Sequence, residues 1–74
     1  MVIKMEMEKM STGKYYYIYG SSYQGVVRAI DLYRNNFEYT NVMQYKTLEG
    51  TIGYTKTMNV EREVSKEELV LEWL

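Results

Sequence analysis

Seventy-four residues, 46% hydrophobic and 26% charged with a formal net charge of −1, suffice for one small core and exclude a disordered chain. The chain has no Cys and no His, which removes disulfides, most transition-metal sites and the commonest general bases and nucleophiles. No stretch approaches the ~20 apolar residues of a membrane span, and Met1 to Met10 lacks the apolar segment of a signal peptide, so the expected location is cytoplasmic.

Val2 to Met10 alternates, with Ile3, Met5 and Met7 on one side and Lys4, Glu6 and Glu8 on the other, which predicts a half-buried strand. Ser11-Thr12-Gly13-Lys14 supplies turn chemistry before Tyr15-Tyr16-Tyr17-Ile18-Tyr19, whose aromatic and β-branched content favours a second strand. The two runs read as a hairpin. From Gly20, with Ser21 or Ser22 as cap, a helix is predicted to about Asn35: Tyr23, Val26, Val27, Ile30 and Tyr33 fall at helical spacings. Phe37 to Lys46 and Ile52 to Val60 alternate on either side of Thr47-Leu48-Glu49-Gly50 and predict a second hairpin. Ser65, with Glu68 three residues on, forms a capping box ahead of Leu69, Val70, Trp73 and Leu74, which predicts a closing helix. The resulting expectation is one α+β domain over residues 1–74, in the order ββαββα, with a mainly antiparallel sheet and its helices on one face. Its expected core draws on Ile3, Met5, Ile18, Val26, Ile30, Phe37, Leu69 and Trp73.

Charge is unevenly placed along the chain. Glu61, Glu63, Glu67, Glu68 and Glu72 outweigh Arg62 and Lys66 at the end, whereas Lys9, Lys14, Arg28 and Arg34 outweigh Asp31 in the middle. Glu61 and Glu63 share a predicted strand face about 7 Å apart, but nothing nearby in the sequence desolvates either, so they read as a solvated face. Gly20 and Gly25 have the spacing of a phosphate-binding loop, yet Val26 and Val27 stand where Lys and Ser or Thr are needed, so an ordinary helix start is the expectation. No cofactor and no metal are expected.

Nine tyrosines are the unusual feature. Tyr15, Tyr17 and Tyr19 project from one face of a strand and Tyr16 from the other, so a core this small cannot hold them all. Exposed rings with a polar tip are common anchors at protein interfaces. The candidate partner-binding residues are therefore Lys14, Tyr15, Tyr17 and Arg34, with a stacking platform for nucleic-acid bases as the alternative use.

Tyr17-Ile18-Tyr19-Gly20, Val27-Arg28-Ala29 and Phe37-Glu38-Tyr39 resemble the first strand, the helix and the second strand of a glutaredoxin, a likeness over about a third of the chain. It implies a redox-dead relative: Tyr23 and Val26 stand where that family has its two cysteines, and there is no proline for its cis-proline clamp. The leading functional expectation is a non-enzymatic, protein-binding adaptor or inhibitor. By size and composition it is analogous to the anti-restriction and anti-CRISPR proteins with which viruses and mobile elements block host machines. A small nucleic-acid-binding regulator and the redox-dead glutaredoxin-like protein are the alternatives. Self-association is expected, because so short a chain has little core of its own.

Overall fold

The computed structural model describes residues 9–20, 22–35 and 40–73, without the side chains of 35, 40 and 71–73. Strands β1 (Tyr15–Ile18), β2 (Gly25–Asn35), β3 (Thr40–Thr47), β4 (Ile52–Lys56) and β5 (Val60–Val64) precede helix α1 (Lys66–Trp73), with a 3₁₀ turn at Thr57–Asn59 between β4 and β5. All strands lie in one antiparallel sheet in the order β4-β3-β2-β1-β5. The expected ββαββα arrangement with helices on one face is thereby overturned. The predicted central helix is β2, the longest strand, and α1 is the one helix among the described residues. The predicted first strand, residues 2–10, falls almost wholly outside the described residues. The described partners of β1, the other half of that expected hairpin, are β2 and β5. The glutaredoxin likeness falls too, since its helix segment, Val27-Arg28-Ala29, is extended in β2.

The sheet must curl. In a flat sheet, β4 and β5 would stand four spacings of ~4.8 Å, about 19 Å, apart. Lys56 and Val60 are joined by only the three residues of the 3₁₀ turn, a reach of at most ~15 Å. The five strands therefore roll toward an open barrel whose two edges the turn brings near each other. Asn59 fastens this corner: its carbonyl accepts from the Tyr19 N–H at 3.0 Å and its side-chain amide donates to Thr55 Oγ1 at 3.0 Å.

Inward-facing side chains form the core. Met10, Tyr16, Ile18, Val27, Ala29, Met43, Tyr45 and Val60 make one buried cluster, with Tyr23 and Leu32 packed against it. The Tyr16 hydroxyl, beneath a fully buried ring, accepts from the Ser11 N–H at 2.8 Å, so the one polar atom of that side chain is satisfied. Of the expected core, Ile18 is buried inside the cluster, Leu69 is half-buried, and Val26 is buried on the other face. Ile30 is instead 39% exposed, because the register slips between Ala29 and Asp31 and leaves it as the extra residue of a bulge. Ile3, Met5, Phe37 and the Trp73 side chain lie outside the described residues.

The hairpin of β3 and β4 forms where the turn residues predict it. Gly50 takes φ 98°, a conformation that costs other residues a steric penalty, and Thr47 Oγ1 accepts from the Thr51 N–H at 3.0 Å. Met58 and Val60, expected to continue β4, belong to the 3₁₀ turn and β5. The closing helix is capped as predicted, the Glu68 N–H donating to Ser65 Oγ at 3.2 Å. The Glu68 carboxylate does not close the box. It pairs with Arg62 Nη1 at 2.7 Å and ties α1 to β5.

A candidate docking face

Residues directly opposite one another in a ladder share a face, so the register defines what the barrel presents outward. Three rows cross β2, β3 and β4: Arg28–Lys46–Ile52, Asp31–Gln44–Tyr54 and Tyr33–Val42–Lys56. Tyr33 is 39%, Ile52 50% and Tyr54 59% exposed. With bulged Ile30, β2 and β4 carry four of the six exposed large hydrophobic residues among those described. The Tyr33 and Tyr54 rings meet at 6.4 Å between centroids, tilted by 57°, a favourable edge-directed arrangement. Gln44 Nε2 donates to the Tyr54 hydroxyl at 3.1 Å and orients it. Desolvation of the Tyr33 phenol, then the Tyr54 hydroxyl and the Asp31 charge, hold the Tyr33 pKa above its usual range.

The same face is cationic. Arg28 and Lys46 stand directly opposite each other, an arrangement of like charges that is ordinarily unfavourable. Their side chains diverge: Arg28 Nη2 lies 3.8 Å from where a Cβ on Gly13 would be, and Lys46 Cε 4.0 Å from the equivalent point on Gly50. Among the described residues the ion pairs are Lys14 with Glu63 at 3.3 Å and Arg62 with Glu68 at 2.7 Å. Both lie on the β5 side, and neither involves Arg28, Lys46 or Lys56. Asp31, the one carboxylate in the three rows, accepts the Leu32 N–H at 2.8 Å.

The four residues singled out from sequence do not form one site. Tyr15 and Tyr17 do point outward from β1, opposite Arg28 and Val26. Both are half-buried; Tyr17 accepts from Gln24 Nε2 at 3.2 Å and lies beneath the Arg62 guanidinium, 6.0 Å from ring centroid to Cζ. Tyr15 lines a shallow apolar groove of about 230 Å³ with Leu48, Leu69 and Val70. Lys14 is occupied by Glu63. Arg34 lies six residues beyond Arg28 on β2, opposite Asn41, whose Oδ1 accepts its Nε–H at 3.2 Å. At ~3.3 Å per residue it stands well over 15 Å from the Tyr15 row, and its alternation with Tyr33 places it on the other face. Sequence reasoning missed Tyr33, Tyr54, Ile52 and Lys46. The period-2 pattern of β3 and β4 put Ile52 and Tyr54 on one face without deciding which; the register sets Gly53 and Thr55 against buried Tyr45 and Met43 and so leaves Ile52 and Tyr54 outside.

Among the described residues no group of three or more acidic, His or Cys side chains is placed to hold a metal ion. Glu61 is the bulged residue of β5 and Glu63 faces Lys14, so the two carboxylates do not work as a pair. Gly25 opens strand β2 rather than a helix. No helix among the described residues is long and apolar enough to cross a membrane. No protein family, curated protein or solved structure matches the chain.

Proposed function

We propose that this chain is a non-catalytic protein-binding module, acting as an adaptor or inhibitor by docking through the outer face of β2, β3 and β4. The observation that carries the reading is the concentration of exposed Ile30 and Tyr33 on β2 and Ile52 and Tyr54 on β4, the two strands that flank β3. A cluster of exposed aromatic and aliphatic side chains with polar groups around it is what interfaces use for anchoring. Its residues sit on strands rather than loops, so the face is presented without an ordering cost.

A photo-crosslinking residue placed at Ile52 should capture a discrete protein in the native host, whereas the same residue at Glu67 should not. Tyr33→Ala with Tyr54→Ala should abolish that capture while the melting temperature stays within a few degrees of wild type. Equal capture from both positions sinks the reading. A nucleic-acid-binding regulator is the second reading, favoured by the three cations that share the face with two tyrosines. It predicts association that nuclease removes and salt weakens steeply.

A further inference from the structure

Resting on the docking reading above, we infer that the segment bound by this face is acidic, bringing carboxylates to Arg28 and Lys46 beside bulky apolar side chains that settle on Ile52, Val42 and the Tyr33–Tyr54 pair. Three cations and one carboxylate occupy the three outward rows of a chain whose net charge is −1. The positive charge is therefore gathered on this face against the trend of the whole molecule. The Asp31 carboxylate already accepts a backbone N–H. Arg28 and Lys46 are held side by side by the register with their heads turned away from each other, and among the described residues no ion pair joins either. An incoming carboxylate relieves that repulsion and adds charge-assisted hydrogen bonds, most directionally to the Arg28 fork.

A peptide fits this face better than a nucleic-acid strand does. Val42, Ile52 and Ile30 offer aliphatic contact, which suits an apolar side chain more than the polar edges of a base. The two exposed tyrosines lean on each other instead of standing free as separate stacking platforms. Along β5 and the start of α1, Glu61 and Glu67 would repel any long polyanion that ran past the face, whereas a short acidic segment can be confined to the three rows. Charge complementarity thus selects a short acidic stretch with neighbouring apolar anchors.

The test is selection from a displayed library of random linear peptides on the intact chain, with a single-stranded oligo(dT) as the competing probe. Retained peptides should be enriched in Asp and Glu next to Leu, Ile, Phe or Trp, and should be lost on Tyr54→Ala. Replacing Glu by Gln in the best peptide should weaken binding about tenfold or more. Arg28→Gln with Lys46→Gln should erase the difference between the two peptides while leaving the melting temperature equal or higher, since like charges have been removed. The peptide-side replacement needs no variant of the protein, so a folding failure of the double variant does not block the test. Retained apolar peptides without acidic enrichment would overturn this inference and leave the docking reading intact. Peptides indifferent to Tyr54→Ala would sink both. Tighter binding of oligo(dT) with a steep salt dependence overturns the inference in favour of nucleic acid. A dimer that excludes the peptides and dissociates on Tyr54→Ala overturns it by assigning the face to a second copy of the chain.

Discussion

Gly53→Ala tests the packing that positions the docking face. Gly53 lies opposite Tyr45 in the β3–β4 ladder, and a Cβ built there would meet Tyr45 Cζ and Oη at 2.5 Å and Cε1 at 2.9 Å. Ordinary carbon contacts lie at ~3.5–4.0 Å, so the ring would have to retreat by about 1 Å. It has little room: Tyr45 is 3% exposed and packs on Tyr23 at 6.2 Å between centroids. Overpacking of this kind costs about 1–3 kcal/mol, and the stiffer unfolded chain of Ala relative to Gly returns about 0.4–1. The net loss of about 1–2 kcal/mol corresponds to a melting temperature lower by roughly 4–16 °C for a domain of this size. Circular dichroism melts read it directly. In a double-mutant cycle, Tyr45→Leu should absorb most of the penalty, so the two changes should be strongly non-additive. A Gly53→Ala melting point at or above wild type, or additive losses, would refute the placement of the ring over the glycine and with it the close approach of β3 and β4.

Tyr16→Phe keeps the buried ring but leaves the Ser11 N–H without its 2.8 Å acceptor; a loss of about 0.5–1.5 kcal/mol is expected in urea unfolding. Ser65→Ala should cost about 1 kcal/mol by removing the acceptor of the Glu68 N–H, with faster amide exchange in the first turn of α1 as the local sign. Because the Tyr33 phenol is held above its usual range, it keeps its proton in the folded chain at pH values where the unfolded chain has begun to lose it. Its contribution is complete below about pH 10 and declines as pH rises through the folded value, so Tyr33→Phe should flatten the alkaline limb of a stability profile. The β4 edge has no ladder partner in the described sheet, and self-association at micromolar concentration is expected; light scattering that shows a monomer at every concentration would reject it.

Alternation in sequence was enough to place the β3–β4 hairpin, because turn chemistry at Thr47 to Gly50 and a period of two on each side depend only on neighbours. The cap of α1 was legible for the same reason: Ser65 and Glu68 meet through local backbone geometry. The whole content of β2 was not. One bulge at Ile30 shifts its phase, so the inward residues run Val27, Ala29, Leu32, while exposed Ile30 and Tyr33, three and six positions beyond inward Val27, line up with it as a false helical stripe. Val26, buried on the opposite face, adds an apolar residue next to Val27 and completes the imitation. Composition argued the other way, since Val26, Val27 and Ile30 are β-branched, but propensity is a weak guide beside periodicity. Tertiary structure alone decided the rest. The order β4-β3-β2-β1-β5 depends on β5 crossing from one edge to the other, and that closure follows from curl and a three-residue link rather than from any local pattern. The docking face inherits this dependence, because Arg28, Lys46, Ile52, Tyr33 and Tyr54 come from three strands and become neighbours only when a register, set by which side chains the small core accepts, brings them into rows.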